Sequence, residues 1–174
     1  MSVWVFGYGS LIWRPDFAYL ERRRARLHGW QRRFWQGSHD HRGVPDRPGR
    51  VVTLIQAAEG HCDGLAYLLD DATAQLTFDV LDHREKNGYE RHEVSLELTG
   101  TRSIPAVVYI APVDNHAYLG PAPLTEIVRQ IAASRGPSGG NGDYLLDLAR
   151  ALRAMGTEDP HVFALEAALL DYAP

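Results

Sequence analysis

The chain has a single cysteine, Cys62, among its 174 residues, so no disulfide can form within it. That scarcity points to an intracellular protein. Cys62 itself reads as a small buried residue rather than a nucleophile. Long apolar runs are also lacking. No stretch nears the ~18 apolar residues needed to cross a bilayer as a helix. The apolar N-terminus has no basic segment ahead of it, unlike a secretory signal. A cytoplasmic location and no membrane partner are the expectation. Nor is there a basic excess: the formal net charge is −4, which argues against nucleic acid as a partner. The run Arg22-Arg23-Arg24-Ala25-Arg26 is the local exception and reads as solvated surface. Several chemical signatures are absent as well. There is no CxxC or HExxH for zinc, no third glycine for a dinucleotide fingerprint, and no Gly-Lys-Ser/Thr for a phosphate loop. Ser10 does not sit in a Gly-x-Ser-x-Gly elbow.

What the chain does have is an ordinary globular composition, 45% hydrophobic and 23% charged. One domain over residues 1–174 is expected, with one sizeable core. The residue pattern predicts short strands at Val3 to Phe6, Arg32 to Trp35, Val51 to Ile55 and Gly64 to Leu69. A further pair, Val94 to Leu98 and Ala106 to Ile110, joins through a turn near Gly100. His39 to Arg50, rich in Gly, Pro and charge, reads as a long loop. Four helices are predicted. The first is capped by Asp70 or Asp71 and runs to about Asp82, with Leu76 and Val80 on one face. Pro123 begins the second, which carries Leu124, Ile127, Val128 and Ile131 at helical spacing and ends by Gly136. Asp143 begins the third, with Leu145, Leu148, Ala149 and Leu152 aligned. Asp159-Pro160 opens the fourth. Strands early and helices late suggest an α+β fold.

Two stretches could carry chemistry. In VWVFGYGSLIW, Val3 to Trp13, an apolar strand is broken by Gly7, Tyr8, Gly9 and Ser10 and then resumes. Glycine admits close backbone approach, so the break is either a turn or a small nest of N–H groups for a carboxylate or oxyanion. In DHREKNGYERHE, Asp82 to Glu93, four carboxylates and two histidines flank an Asn87-Gly88 turn. A carboxylate held there in a partly desolvated pocket could act as a general base. The residues alone do not choose among Glu85, Glu90 and Glu93. His39 and His41 read as loop residues, and no metal site is expected. The glycine-rich GPSGGNGDY, Gly136 to Tyr144, reads as a linker into a helix.

In this order, FGYGSLIW, RRFWQGSHDHRGVPDRPGRVVTL, REKNGY, DNHAYLGPAPL and GPSGGNGDYL closely resemble the glutathione-specific γ-glutamylcyclotransferases, the ChaC-like family. The resemblance implies a γ-glutamylcyclotransferase-like small mixed β-barrel with surrounding helices. It implies cleavage of glutathione to 5-oxoproline and cysteinylglycine, with no cofactor and no metal. The family's substrate-holding loop falls here on Tyr8, Gly9, Ser10 and Leu11, preceded by Val5, Phe6 and Gly7. Its catalytic glutamate falls on Glu85. Tyr118 and Tyr144 match tyrosines implied to line the pocket, and Arg47 and Arg50 lie in the HRG-to-PGR loop. One departure is His83, where an aromatic such as Phe is expected. Two alternatives share parts of this pattern: a cyclotransferase for other γ-glutamyl amino acids or amines, and a non-catalytic module that binds γ-glutamyl ligands. Oligomeric state is not legible in the sequence.

Overall fold

The structure, a computed structural model, describes residues 3–100 and 102–174. Its elements in chain order are β1 (Val3–Gly7), a 3-10 turn (Ser10–Ile12), β2 (Glu21–Ser38), β3 (Gly49–Leu69), α1 (Ala74–Arg84), β4 (Glu90–Leu98) and β5 (Ser103–Ile110). Then follow α2 (Leu124–Ala133), a two-residue pair β6 (Arg135–Gly136) and β7 (Gly139–Gly140), α3 (Asn141–Ala154) and α4 (Pro160–Leu170). Strands β1-β3-β2-β4-β5 close into a barrel. β1 pairs antiparallel with β3, Val5 opposite Tyr67, and parallel with β5, Val5 opposite Val107. The barrel is therefore mixed, and the fold is the α+β, γ-glutamylcyclotransferase-like one that the resemblance implied.

The backbone forms two compact units. A barrel unit comprises Met1–Gln31 and Leu54–Pro112, and a helical unit comprises Arg32–Thr53 and Val113–Pro174. In the barrel unit, α1 lays Phe78 and Leu81 against Val5, Leu11, Leu69 and Tyr109. In the helical unit, Ile127, Val128 and Ile131 of α2, Leu145, Leu148, Ala149 and Leu152 of α3, and Val162 and Leu165 of α4 form the apolar interior. Asp159 caps α4, its side chain accepting from the Val162 N–H at 3.0 Å.

Several sequence expectations need correction. The segments Val51 to Ile55 and Gly64 to Leu69 belong to one strand, β3, and Arg32 to Trp35 is the far end of an 18-residue strand, β2. Two glycines within β3 mark close approach. A Cβ on Gly60 would stand 2.7 Å from Gln31 Cγ, and one on Gly64 would stand 2.2 Å from the Gly7 carbonyl oxygen. The arginine run lies on β2, where Arg22, Arg23 and Arg24 are exposed while Ala25 points inward. α1 uses a different face from the one expected. Leu76 and Val80 are 67% and 52% exposed, whereas Ala74, Thr77, Phe78 and Leu81 are buried. Leu76 lies two residues from Phe78, about 200° around the helix. Phe78 and Leu81 together set the inward stripe. Asp70 caps nothing: its carboxylate accepts from Ala72 N–H in the preceding turn, and Thr73 is the first residue of the cap. α3 starts at Asn141, two residues before Asp143, because the glycine-rich stretch folds into the β6–β7 pair.

Candidate active site

The first motif is built by the barrel. After Gly7 the chain leaves β1 and tightens into the 3-10 turn, with Ile12 N–H donating to Gly9 C=O at 2.9 Å and Arg14 N–H to Ser10 C=O at 2.7 Å. The bend is close: a Cβ on Gly7 would lie 2.8 Å from Leu11 Cβ. Both flanks of the loop are tied down. The Tyr8 hydroxyl donates to Tyr109 C=O on β5 at 2.6 Å, and the Tyr67 hydroxyl on β3 donates to Leu11 C=O at 2.6 Å. Burial pushes the Tyr67 phenol up to about 12, so it stays a donor at neutral pH. Val5, which packs against α1, and Phe6 on the opposite face of β1 are both buried, and Tyr8, Leu11 and both glycines are buried too. Ser10 is the half-exposed residue of the loop. The first N–H groups of a 3-10 turn have no acceptor within the turn itself. The loop thus carries one partly exposed hydroxyl, that of Ser10, on a rigid base.

The second motif ends α1. Glu85 is its C-cap, the N–H donating to Leu81 C=O at 2.8 Å. Gly88, at φ +93°, turns the chain toward β4, a conformation that favours glycine and bears out the Asn87-Gly88 turn. The Glu85 side chain is 17% exposed. Its neighbour Arg84 joins the two motifs. The Arg84 guanidinium donates through Nη2 to Ser10 Oγ at 3.0 Å. Through Nη1 it donates to Arg14 C=O at 2.9 Å and Pro15 C=O at 3.2 Å. It lies 3.6 Å from the Asp16 carboxylate and, through Nε, 3.9 Å from Glu85 Oε1. Arg84 therefore joins the loop to the end of α1, next in sequence to Glu85. His83 is exposed on α1.

Tyr109 supports both motifs from β5. Its hydroxyl donates to Asp82 Oδ1 at 2.6 Å while its carbonyl accepts from Tyr8. Asp82 also pairs with Arg91 Nε at 3.2 Å, and that guanidinium stands over the Phe78 ring at 5.2 Å. Burial first, then the Asp82 hydrogen bond and the negative charges of Asp82 and Glu85, raise the Tyr109 phenol well above its ordinary value. It remains a neutral donor that anchors the end of α1. Sequence reasoning passed over Arg84, Tyr109 and Asp82 as site residues. Arg84 adjoins Glu85 in the motif and could have been found there; Tyr109 sits in an apolar strand and gave no signal.

Tyr118 and Tyr144 belong to the helical unit. Tyr144, in the first turn of α3, is buried: its hydroxyl accepts from Val52 N–H at 3.3 Å, its ring meets Phe34 edge-on at 5.8 Å, and the Arg42 guanidinium lies 5.7 Å from its centroid. Tyr118 is half-buried, with its backbone bridged to Gln36, and burial raises its phenol pKa against the opposing charge of Arg50. Arg50 is buried, not solvated. It donates to Gln130 Oε1 at 2.7 Å, Phe34 C=O at 3.0 Å and Gly120 C=O at 2.9 Å, while Asn141 pairs with both its backbone groups at 2.8 Å. Burial lowers its pKa from the usual arginine value, opposed by the field of Glu126. Arg47 is exposed. Among the described residues, no group of three or more His, Cys, Asp or Glu is arranged to hold a metal ion.

A small closed mixed barrel with surrounding helices is the fold the resemblance implied, and known proteins share it. The sequence profile described as ChaC-like protein matches residues 3–172. The chain is 44% identical to glutathione-specific γ-glutamylcyclotransferase 1 of Danio rerio, over 97% of this chain and 89% of that one. It is 46% identical to γ-glutamylcyclotransferase 2-3 of Arabidopsis thaliana, over 93% and 85%. A selenomethionine-labelled crystal structure of a yeast γ-glutamyl cyclotransferase specific to glutathione superposes with a TM-score of 0.92 at 34% identity, covering 98% of this chain and 96% of that one. The chain belongs to the ChaC-like family.

Proposed function

We propose that the protein is a glutathione-specific γ-glutamylcyclotransferase, a lyase that releases 5-oxoproline and cysteinylglycine from glutathione, with Glu85 as the general base. The observation that supports this reading is Arg84, which bonds Ser10 of the Tyr8–Leu11 loop while its Nε lies 3.9 Å from the Glu85 carboxylate. Support for the substrate comes from relatives named for glutathione at 44% identity over nearly their full length. In the reaction the substrate's α-amine attacks its own γ-carbonyl carbon. A C–N bond forms, closing a five-membered lactam, and the amide C–N bond to the cysteinyl nitrogen breaks. Nucleophile and electrophile are in one molecule, so the protein's first task is to fold the substrate into attack geometry. Glu85 takes a proton from the attacking amine and returns it to the departing cysteinyl nitrogen, leaving the carboxylate as it began. The backbone N–H groups of the loop and the Ser10 hydroxyl hold the glutamyl carboxylate or the oxyanion that develops on the γ-carbonyl. In this reading one cytoplasmic domain carries the whole activity without metal or cofactor.

Purified protein incubated with glutathione, and separately with γ-glutamyl-alanine, without added metal, tests the assignment by mass-spectrometric detection of 5-oxoproline. Product from glutathione and not from γ-glutamyl-alanine is expected. Product chiefly from γ-glutamyl-alanine would move the enzyme to other γ-glutamyl substrates. Binding of glutathione without product would make it a binding module. Glu85→Gln keeps shape and hydrogen-bonding capacity, and is expected to bind glutathione while losing about 10²–10⁴-fold in turnover.

A further inference from the structure

We infer that Arg84 is a positioning residue for this reaction, fixing the Ser10–Asp16 segment to the end of α1 and holding the Glu85 carboxylate in its ionised, proton-accepting form. The inference rests on the reading of Glu85 as the base. Its first half follows from geometry. Three acceptors of one loop, Ser10 Oγ, Arg14 C=O and Pro15 C=O, converge on two terminal nitrogens of a single guanidinium. Only a planar fork with several donors can serve acceptors spread in this way; an ammonium offers one nitrogen. The Arg84 side chain is 18% exposed, so these bonds are held in a partly desolvated setting. Because Arg84 and Glu85 are consecutive at the end of α1, any movement of the loop relative to the helix is a movement relative to the carboxylate.

The second half follows from charge. The charged and titratable groups on the segments around Glu85 include Arg14 and Asp16 of the loop, Asp82, His83 and Arg84 of α1, Lys86 and Tyr89 of the following turn, Glu90, Arg91, His92 and Glu93 of β4, and Tyr109 of β5. Lys86 and Glu90 are exposed. Tyr109 is neutral, and Arg91 is engaged with Asp82 at 3.2 Å. Arg84 places its Nε 3.9 Å from the Glu85 carboxylate. A cation at that range favours the charged form of a carboxylate, so removing it makes the base protonate at higher pH.

The test is the pH profile of kcat/KM for glutathione in wild type, Arg84→Gln and Arg84→Lys, each shown to be folded by its melting transition. Arg84→Gln is expected to raise KM, to lower kcat/KM about 10²-fold on the plateau, and to displace the acid limb to higher pH. Arg84→Lys restores a charge without the fork, so the limb returns toward wild type while KM stays raised. Wild-type kcat/KM in Arg84→Gln would overturn the inference. So would a loss in both variants with no movement of the limb, which is what a merely structural contact would give. If Arg84→Gln does not fold, Arg84→Lys decides alone, since a wild-type KM in it removes the role of the fork. Failure of the underlying reading looks different: Glu85→Gln would then keep both turnover and the acid limb, whatever Arg84 does.

Discussion

The two compact units solve the same problem, satisfying buried backbone, in different ways. In the barrel unit the strand ladders pair the backbone, and the core is almost wholly apolar; Thr77 is its buried polar side chain among the described residues. The helical unit has long irregular connections whose carbonyls need donors. Its interior accordingly holds Arg32, Arg42, Arg50, Gln36, Ser38, Ser134 and Asn141. Arginine appears in both units but does different things. Arg50 is sunk among neutral carbonyls as a cross-brace, whereas Arg84 sits half-buried between charged groups, where its charge has consequences for a neighbour. Buried charge is costly wherever its partner is lost, so the helical unit carries the larger liabilities.

That contrast can be broken at its most exposed point, the Arg32–Asp159 pair. Arg32 Nη1 meets Asp159 Oδ2 at 2.6 Å, with the Arg32 side chain 1% exposed. Asp159→Ala takes the opposite charge from a buried guanidinium and removes the α4 cap, and is expected to cost about 3–5 kcal/mol in a denaturant titration. A smaller effect is expected from His161, also in the helical unit. Its Nε2 accepts from Phe34 N–H at 3.0 Å, which requires the neutral ring, and burial together with Arg33 lowers its pKa to about 4. The folded pKa lies below the unfolded one, so the unfolded chain takes up the proton first as pH falls. The stability contribution is fully present above about pH 6.5 and is lost between there and about pH 4, up to roughly 3 kcal/mol. Unfolding midpoints against pH should show this slope, and His161→Gln should flatten it. In the barrel unit, Tyr8→Phe removes one buried hydroxyl bond to the Tyr109 carbonyl, for a cost of about 1–2 kcal/mol by thermal melt. Were Asp159→Ala no costlier than Tyr8→Phe, the contrast between the units would not hold. The smallest change is expected at Leu76→Gln on the exposed face of α1, within about 0.5 kcal/mol of wild type.

Local signals were readable in the sequence. Ile127, Val128 and Ile131 repeat at the helical period, Leu145, Leu148 and Leu152 do likewise, and Asp159-Pro160 announces α4, because caps and periodicity are properties of neighbours in the chain. The continuity of β2 and β3 was not readable. Gly60 and Gly64 look like punctuation until the residues opposite them, Gln31 and Gly7, are known. The face of α1 was misjudged because Leu76 and Val80 are as apolar as many core residues. For the site, Glu85 could not be separated from Glu90 and Glu93 by composition; family resemblance made that choice. The bonds that build the site are long-range: Arg84 reaches Ser10 across 74 positions and Tyr8 reaches Tyr109 across 101. No window of sequence contains both partners.

The parallel pairing of β1 with β5 sets a schedule for assembly. A growing chain makes β1 first, yet one of its two neighbours, β3, comes only after β2, and the other, β5, is the last strand of the barrel. Contacts this distant along the chain are slow to form, since the intervening loop must first be closed. Until β5 arrives, the apolar β1 keeps an open edge of the kind that recruits other chains. The anchor of the GYGS loop is the carbonyl of Tyr109, on that same late strand. A nascent chain that stops short of β5 would carry the complete motif and lack the bond that shapes it, so the loop gains its form only as the barrel closes.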